Sequence, residues 1–249
     1  MGASGDRVAV VTGCSSGLGR FVALELARSG YVVAATARRV DRLAELVEEI
    51  ETEGGRARAV ALDVRDAGAV AGVLDEVEAS CGLPQVLVNN AGVPDARRAH
   101  RMPLEVVDAV LETNVRAPWL LSTALAGRLI AQGLPGRIVN ISSMSAFHYS
   151  GEGAALYSTT KAALNRMTET LAVEWAAHGI NVNAIAPGAF ASEMMDGMLE
   201  RVGDVTAGFP RGRLGAVEHF ASTLRYLLDP ASEAVTGTVI KVDDGQTHR

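Results

Sequence analysis

The chain has 249 residues, 48% of them hydrophobic and 21% charged, which is globular composition and enough length to bury a core as one α/β domain over residues 1–249. A formal charge of −6 argues against an electropositive nucleic-acid surface, and the two cysteines, Cys14 and Cys81, show no metal-ligand or disulfide spacing, so no metal is expected. No signal-peptide order and no apolar run of roughly 18 residues is present, so the expectation is a cytoplasmic protein with no membrane partner.

Short β-branched runs alternate with helical patterns along the chain. The first strand, Val8–Thr12, runs into Thr12-Gly13-Cys14-Ser15-Ser16-Gly17-Leu18-Gly19, and a helical stripe from Leu18 through Leu26 follows at once. Glycines between a strand and a helix N-terminus let backbone N–H groups approach a pyrophosphate, where the helix dipole favours negative charge. The spacing is G-x3-G-x-G, not the standard G-x-G-x-x-G fingerprint. The second strand, Tyr31–Thr36, ends at Arg38-Arg39, where an acid would hold the ribose hydroxyl of NAD. A guanidinium pair suits a 2′-phosphate instead, so NADP(H) is favoured over NAD(H). The alternative is two solvated arginines with Asp41 taking the ribose. Asp41 also suits the first turn of the next helix, whose stripe is Val40, Leu43, Leu46, Val47 and Ile50.

Further strands are expected at Arg58–Leu62, Val86–Asn89, Arg137–Ile141, Asn181–Ile185 and Thr238–Val242. They read as apolar almost throughout, as strands buried on both faces do. The expected fold is therefore a single doubly wound parallel sheet of the Rossmann type, seven strands with helices on both faces. Residues 93–102 and 188–213 read as loops, the second a substrate loop or lid rich in glycine and methionine. Tyr157-Ser158-Thr159-Thr160-Lys161 opens a helix, and its i, i+4 spacing puts phenol and ammonium on one face. An ammonium there is expected to pull the tyrosine below its ordinary value and fit it for proton transfer to an alcohol oxygen.

Together these residues resemble the short-chain dehydrogenases/reductases, and among them the NADP-preferring members similar to 3-oxoacyl-acyl-carrier-protein reductases. The resemblance spans the chain. Thr12 to Gly19 is similar to the family's TGxxxGxG, Asp63-Val64 to its adenine-binding pair, Asn89-Asn90-Ala91-Gly92 to NNAG, and Asn114-Val115 to its Asn segment. Ile141-Ser142-Ser143 resembles the strand end bearing the family's serine, Tyr157-x3-Lys161 its YxxxK, and Asn183 to Gly188 the approach to its PG loop. The resemblance implies Tyr157 as general acid, Lys161 as its tuner and ribose anchor, and Ser143 as donor to the substrate oxygen. It implies Asn114 as holder of a water that links Lys161 to solvent. Cofactor contacts are implied at Gly13, Ser15, Ser16, Gly17, Leu18, Gly19, Arg38, Asp63, Val64, Asn90, Ala91, Gly92, Tyr157, Lys161, Pro187, Gly188 and Ser192.

Three departures from the family pattern stand out. Ser143 lies fourteen positions before Tyr157 instead of thirteen, which makes Ser145 a rival. Phe190 replaces an aliphatic residue, and Asp244 replaces the first glycine of VDGG, a position that can demand an unusual backbone angle.

Met144, Phe147, His148 and Tyr149, with Phe190, Met194, Met195, Met198 and Phe209, point to a mostly apolar ketone or acyl substrate; the alternative is that they pack a lid onto the domain. Arg97, Arg98, His100 and Arg101 could meet an acyl carrier or coenzyme A thioester, or simply be a solvated loop. The resemblance implies a homotetramer or homodimer. The expected activity is hydride transfer between NADP(H) and a ketone/secondary alcohol pair. Rivals are an NAD-linked alcohol dehydrogenase and a non-catalytic dinucleotide-binding sensor or scaffold.

Overall fold

The computed structural model describes residues 7–149, 151 and 153–246. Seven parallel strands form one sheet in the order β3-β2-β1-β4-β5-β6-β7. They are β1 (Arg7–Thr12), β2 (Tyr31–Ala37), β3 (Arg56–Ala61), β4 (Pro84–Asn89), β5 (Gly136–Ile141), β6 (Ile180–Pro187) and β7 (Val239–Val242). The helices are α1 (Gly17–Arg28), α2 (Val40–Thr52), α3 (Ala67–Cys81), α4 (Leu104–Leu111), α5 (Ala117–Gln132), α6 (Ala155–Trp175), α7 (Glu193–Val202) and α8 (Ala221–Leu228). A π-helical segment, Glu112–Arg116, joins α4 to α5 without a break.

Successive side chains of a strand point to opposite faces, and here both faces are covered. Ala9, Val11, Val33, Ala35, Val88, Val139 and Ile185 meet Val22, Leu26, Leu43, Leu46, Ile50, Phe220, Leu224 and Leu227 from α1, α2 and the α8 side. Val8, Val10, Val32, Leu87, Ile138 and Val182 meet Leu74, Leu121, Leu125, Leu129, Leu164, Leu171 and Trp175 from α3, α5 and α6 on the other face. Each large aliphatic side chain so buried contributes about 1.5–3 kcal/mol.

The expectation that every strand is buried on both faces fails at the sheet edges. Only two of the six residues of β3 are buried, and it starts at Arg56, two residues earlier than the sequence pattern suggested; β7 is half-buried throughout. An edge strand lacks a neighbour to cover one side, so its polar residues carry no desolvation cost. Val40 of the α2 stripe is also exposed, while Leu43, Leu46 and Ile50 are buried.

The winding direction reverses between β1 and β4. Connections leaving the two adjacent strand ends diverge there, which opens a crevice at the carboxyl edge of the sheet. Thr12 at the end of β1 ties the two sides together: its Oγ1 accepts from the backbone N–H groups of Asn90 and Ala91, both at 3.0 Å.

Candidate active site

The crevice is a cleft of about 930 Å³. Gly13, Ser15, Ser16, Gly17, Leu18, Gly19, Arg38, Asp63, Val64, Asn90, Ala91, Gly92, Ser143, Tyr157, Lys161, Pro187, Gly188 and Ser192 all line it. Asn114 is the one expected site residue that does not.

The glycine turn is built for close approach. Gly13 and Gly17 sit at positive φ, +73° and +55°, where a side chain would be strained. A Cβ at Gly19 would collide with the carbonyl oxygen of Gly13 and the amide of Asn90. The N-terminus of α1 therefore faces the cleft with backbone and the small side chains of Ser15 and Ser16 lining the turn. That cradle fits a pyrophosphate. Asn90 contributes by structure: its Nδ2 donates to the carbonyl oxygens of Thr12 (2.8 Å) and Gly13 (3.2 Å), so its side chain fixes the turn.

Two guanidiniums stand at the end of β2. Arg39 is the one that reaches the turn, donating through Nη2 to Ser15 Oγ at 2.9 Å and Ser16 Oγ at 3.0 Å. The same guanidinium pairs with Glu193 at 2.9 Å, in the first turn of α7. This pair holds the Glu193 carboxyl below its ordinary range, and a Ser16 hydrogen bond adds to the effect. Arg38 is exposed at the cleft wall, close enough to Asp63 to help depress that carboxyl. The larger influence on Asp63 is its hydrogen bond from Arg65. Asp41 lies in the first turn of α2 and is not part of the cleft wall. The site can thus hold a dinucleotide with a cationic group at the ribose end.

β5 and α6 bring the remaining polar groups together. Ser143 follows β5 directly, and its side chain is hydrogen-bonded to that of Tyr157. Ser143 Oγ also accepts from the N–H of Ser145 at 3.1 Å, which fixes its orientation. The rival Ser145 lines the cleft too, and its backbone carbonyl accepts from the Ser158 hydroxyl at 2.6 Å. Lys161, one turn along α6, is buried; its Nζ donates to the Ile141 carbonyl at 2.7 Å and lies 5.6 Å from the Tyr157 ring centroid.

Desolvation decides the electrostatics here. It pushes the Tyr157 phenol above 10.0, with the Ser143 hydrogen bond pulling the other way. The expected depression of Tyr157 by Lys161 is not what this arrangement produces. Lys161 itself is pulled down, from 10.5 to about 8, by burial.

Asn114 is fully buried in the π-helical segment behind the cleft. Its Oδ1 accepts from Val93 N–H at 2.9 Å, and its Nδ2 donates to Val93 O at 3.0 Å and Thr160 Oγ1 at 3.1 Å. The side-chain amide thus binds the 93-loop to α6. Deeper still, Asn89 donates to Asn140 Oδ1 at 2.8 Å, Asn140 donates to Thr168 Oγ1 at 2.9 Å, and Ser142 Oγ donates to Asn165 Oδ1 at 2.5 Å. This buried polar ladder pins α6 against β5 and sets the register of Tyr157 and Lys161 against Ser143.

The outer wall comes from residues after β6. The stretch 188–213 holds a ten-residue helix, α7, capped by Ser192 accepting from Met195 N–H at 3.2 Å. Ser192 packs against Gly17 of the phosphate turn. Met194, Met195, Met198, Arg201 and Phe209 face the cleft opposite Met144, His148 and Tyr149, whereas Phe147 turns away and stacks under the Lys241 ammonium at 4.3 Å. Phe190 fills a gap as well as lining the cleft: it is buried edge-on against Phe220, with Gly215 beneath its ring. Asp244 has φ +53°, the left-handed angle a glycine would take, and Arg211 and Arg213 pair with its carboxylate at 3.3 and 2.9 Å.

Sequence reasoning missed Glu193 and the buried Asp95, and it named Arg39 without committing to it. None belongs to a motif, and each acts across more than fifty residues or through a loop. Among the described residues no group of His, Cys, Asp or Glu is arranged to hold a metal, and no helix is long and apolar enough to cross a membrane.

The family model for short chain dehydrogenases matches residues 7–202. Gluconate 5-dehydrogenase of Gluconobacter oxydans is 36% identical over 252 residues, covering 98% of this chain and 95% of that protein. A solved structure of a candidate NAD(P)-dependent gluconate 5-dehydrogenase from Beutenbergia cavernae with bound NADP superposes with a TM-score of 0.90, 37% identity and 98% coverage of both chains. An actinorhodin polyketide ketoreductase structure with NADPH gives a TM-score of 0.93 at 30% identity, with 99% of both chains covered. The chain belongs to the short-chain dehydrogenase family and is an NAD(P)-dependent oxidoreductase acting between CH–OH and C=O.

Proposed function

We propose that the chain interconverts a ketone and a secondary alcohol with NADP(H), and that Tyr157 exchanges the proton at the substrate oxygen. The single observation that carries this reading is the cluster of Ser143, Tyr157 and Lys161 on the floor of a cleft whose other half is the phosphate turn. The bound nicotinamide supplies or accepts the hydride. Gly13, Gly17, Gly19, Ser15 and Ser16 would hold the pyrophosphate, and Arg38 and Arg39 the 2′-phosphate.

In the reductive direction Tyr157 is protonated at neutral pH, because burial raises it, and is therefore a competent acid. Ser143 donates to the substrate oxygen as negative charge develops there. The phenolate left behind is stabilised by the Ser143 hydrogen bond. Lys161, pulled down to about 8, stays cationic at neutral pH and lies within reach of proton exchange. The 188–213 stretch closes the outer side as a lid, through Ser192 against Gly17 and Glu193 on Arg39.

The methionines of α7 with Phe209 and Tyr149 favour an apolar ketone or acyl substrate. A second reading is a sugar-acid substrate. It is favoured by the gluconate 5-dehydrogenase relative and by Arg201 and His148, which give the two facing walls of the cleft one polar group each for a carboxylate or hydroxyls. Exposed Trp119 on α5 and Val173 on α6 support self-association, which light scattering reads directly. The test of function is NADPH consumption, followed by absorbance, against acetoacetyl thioesters, cyclic diketones and 5-keto sugar acids. Tyr157→Phe should abolish turnover while NADPH still binds. Equal turnover in Tyr157→Phe would refute the role of the phenol, and turnover of keto sugar acids alone would select the second reading.

A further inference from the structure

The helix that carries Tyr157 and Lys161 begins without a cap of its own. Its N-cap position is Ala154, which has no side chain able to accept from the first N–H groups of α6. The acceptor comes instead from another part of the chain. Asp95 Oδ2 accepts from the backbone N–H of Leu156 at 2.8 Å and from that of Tyr157 itself at 3.2 Å. These are the second and third residues of the helix, the two donors that a local N-cap side chain ordinarily satisfies.

Three observations mark this contact as more than a surface accident. Asp95 is only 4% exposed, and its other oxygen, Oδ1, is buried with no hydrogen-bond partner among the described residues. A buried carboxylate left half-satisfied costs stability, and an aliphatic residue at 95 would avoid that cost. The next residue, Ala96, has φ +49°, a left-handed angle that alanine adopts only under constraint. The following loop is then stitched to the stretch before α6: Arg97 forms a parallel bridge with Ala154, and Arg98 Nη1 donates to the Gly151 carbonyl at 2.5 Å. The strained turn and the bridge together deliver the carboxylate to the helix end.

We propose that Asp95 is a positioning residue for Tyr157. Its carboxylate fixes the first turn of α6, and with it the placement of the phenol against Ser143 and the substrate oxygen, without touching either. This inference rests on the proposed function for its kinetic consequence, while the cap itself is read without turnover. A displacement near 1 Å at a reacting group can cost about 10²-fold in rate. Loss of the cap should therefore appear in kcat and spare the phosphate end of the cleft.

The experiment compares Asp95→Asn with Asp95→Ala, and uses Asp95→Ser if the alanine variant does not fold. Asparagine keeps an oxygen for both N–H groups; alanine keeps none. Hydrogen exchange at Leu156 and Tyr157 should accelerate at least tenfold in Asp95→Ala and stay close to wild type in Asp95→Asn. Unchanged exchange in Asp95→Ala overturns the cap, with or without a known substrate. With a turned-over carbonyl, kcat should fall at least tenfold in Asp95→Ala and less than about threefold in Asp95→Asn, with NADPH Kd and carbonyl KM within about twofold. A drop in melting temperature with kcat unchanged well below it would mean a merely structural residue and would overturn the proposal. Wild-type protein that turns over nothing on the panel refutes the proposed function, and the exchange comparison then decides the cap alone.

Discussion

Replacing Lys161 by methionine should remove activity and, at neutral pH, also remove a folding penalty. Burial lowers the folded-state value of Lys161 from 10.5 to about 8. Between those two values the unfolded chain holds a proton that the folded chain has released, so stability rises with pH through this window. Below pH 8 the whole cost is present: 2.5 units at 1.36 kcal/mol each, about 3 kcal/mol. Methionine has no charge to desolvate but leaves the Ile141 carbonyl without its donor, an offset of about 1.5–3 kcal/mol that does not depend on pH. The clean quantity is therefore the change in the difference between the two proteins. From pH 7.5 to 9.5 the wild type should gain about 2 kcal/mol on Lys161→Met. Tyr157 titrates above this range, so it does not blur the comparison. Urea unfolding of both proteins, without cofactor, at half-unit pH steps measures it. A flat difference across the window would show that the ammonium is not held under desolvation strain, and the account of Lys161 as a group poised for proton exchange would fall with it.

Gly19→Ala should destabilise the chain by about 1–3 kcal/mol and weaken NADPH binding at least tenfold, because the new methyl overlaps backbone at Gly13; fluorescence titration and urea unfolding read the two effects. Arg38→Asp should raise the Kd for NADPH about 10–100-fold and leave NADH within a few-fold, the worth of a charge-assisted pair to phosphate; equal losses for both cofactors would exclude a 2′-phosphate contact. Asn140→Ala should cost about 2 kcal/mol by leaving an Asn89 donor buried without its partner, visible as a lowered urea midpoint with unchanged slope.

The core of the fold was legible because parallel strands covered on both faces leave continuous apolar runs, and all seven expected strands match the observed ones to within two residues at each end. The start of β3 read late by two residues, since an edge strand carrying Arg56 and Arg58 has no apolar run to mark it. The cleft lining was legible wherever a motif stays local: the glycine turn, Asn90 to Gly92, and Tyr157 with Lys161. The direction of the Tyr157 shift was not, because desolvation depends on what surrounds a group in space and not on its neighbour four residues away. Asp95 was hidden for the same reason. A single acid in an arginine-rich loop carries no periodicity, and its two partners lie 61 and 62 positions along the chain. Asn114 was found by motif, yet its burial in a π-helical turn has no signature in Glu112-Thr113-Asn114-Val115-Arg116.

That π-helical turn has a consequence for how the chain tolerates change in length. Leu104 to Gln132 runs as one continuous helical rod, but between 112 and 116 it spends one more residue per turn than an α-helix does. Deleting a single residue there would heal the rod into regular α-helix and leave its two halves nearly in phase, because five residues of the wide turn sweep about the same arc as four α-helical residues, roughly 400°. Leu121, Leu125 and Leu129 on one side and Val110 on the other would keep their seats in the core. What the deletion would remove is the bulge itself, and with it the contacts of Asn114 with Val93 and Thr160. The surplus residue is a local outpocketing that serves one side chain without re-phasing the helix. A one-residue deletion in this stretch should therefore unfasten the 93-loop from α6 while leaving the packing of both helical halves in place.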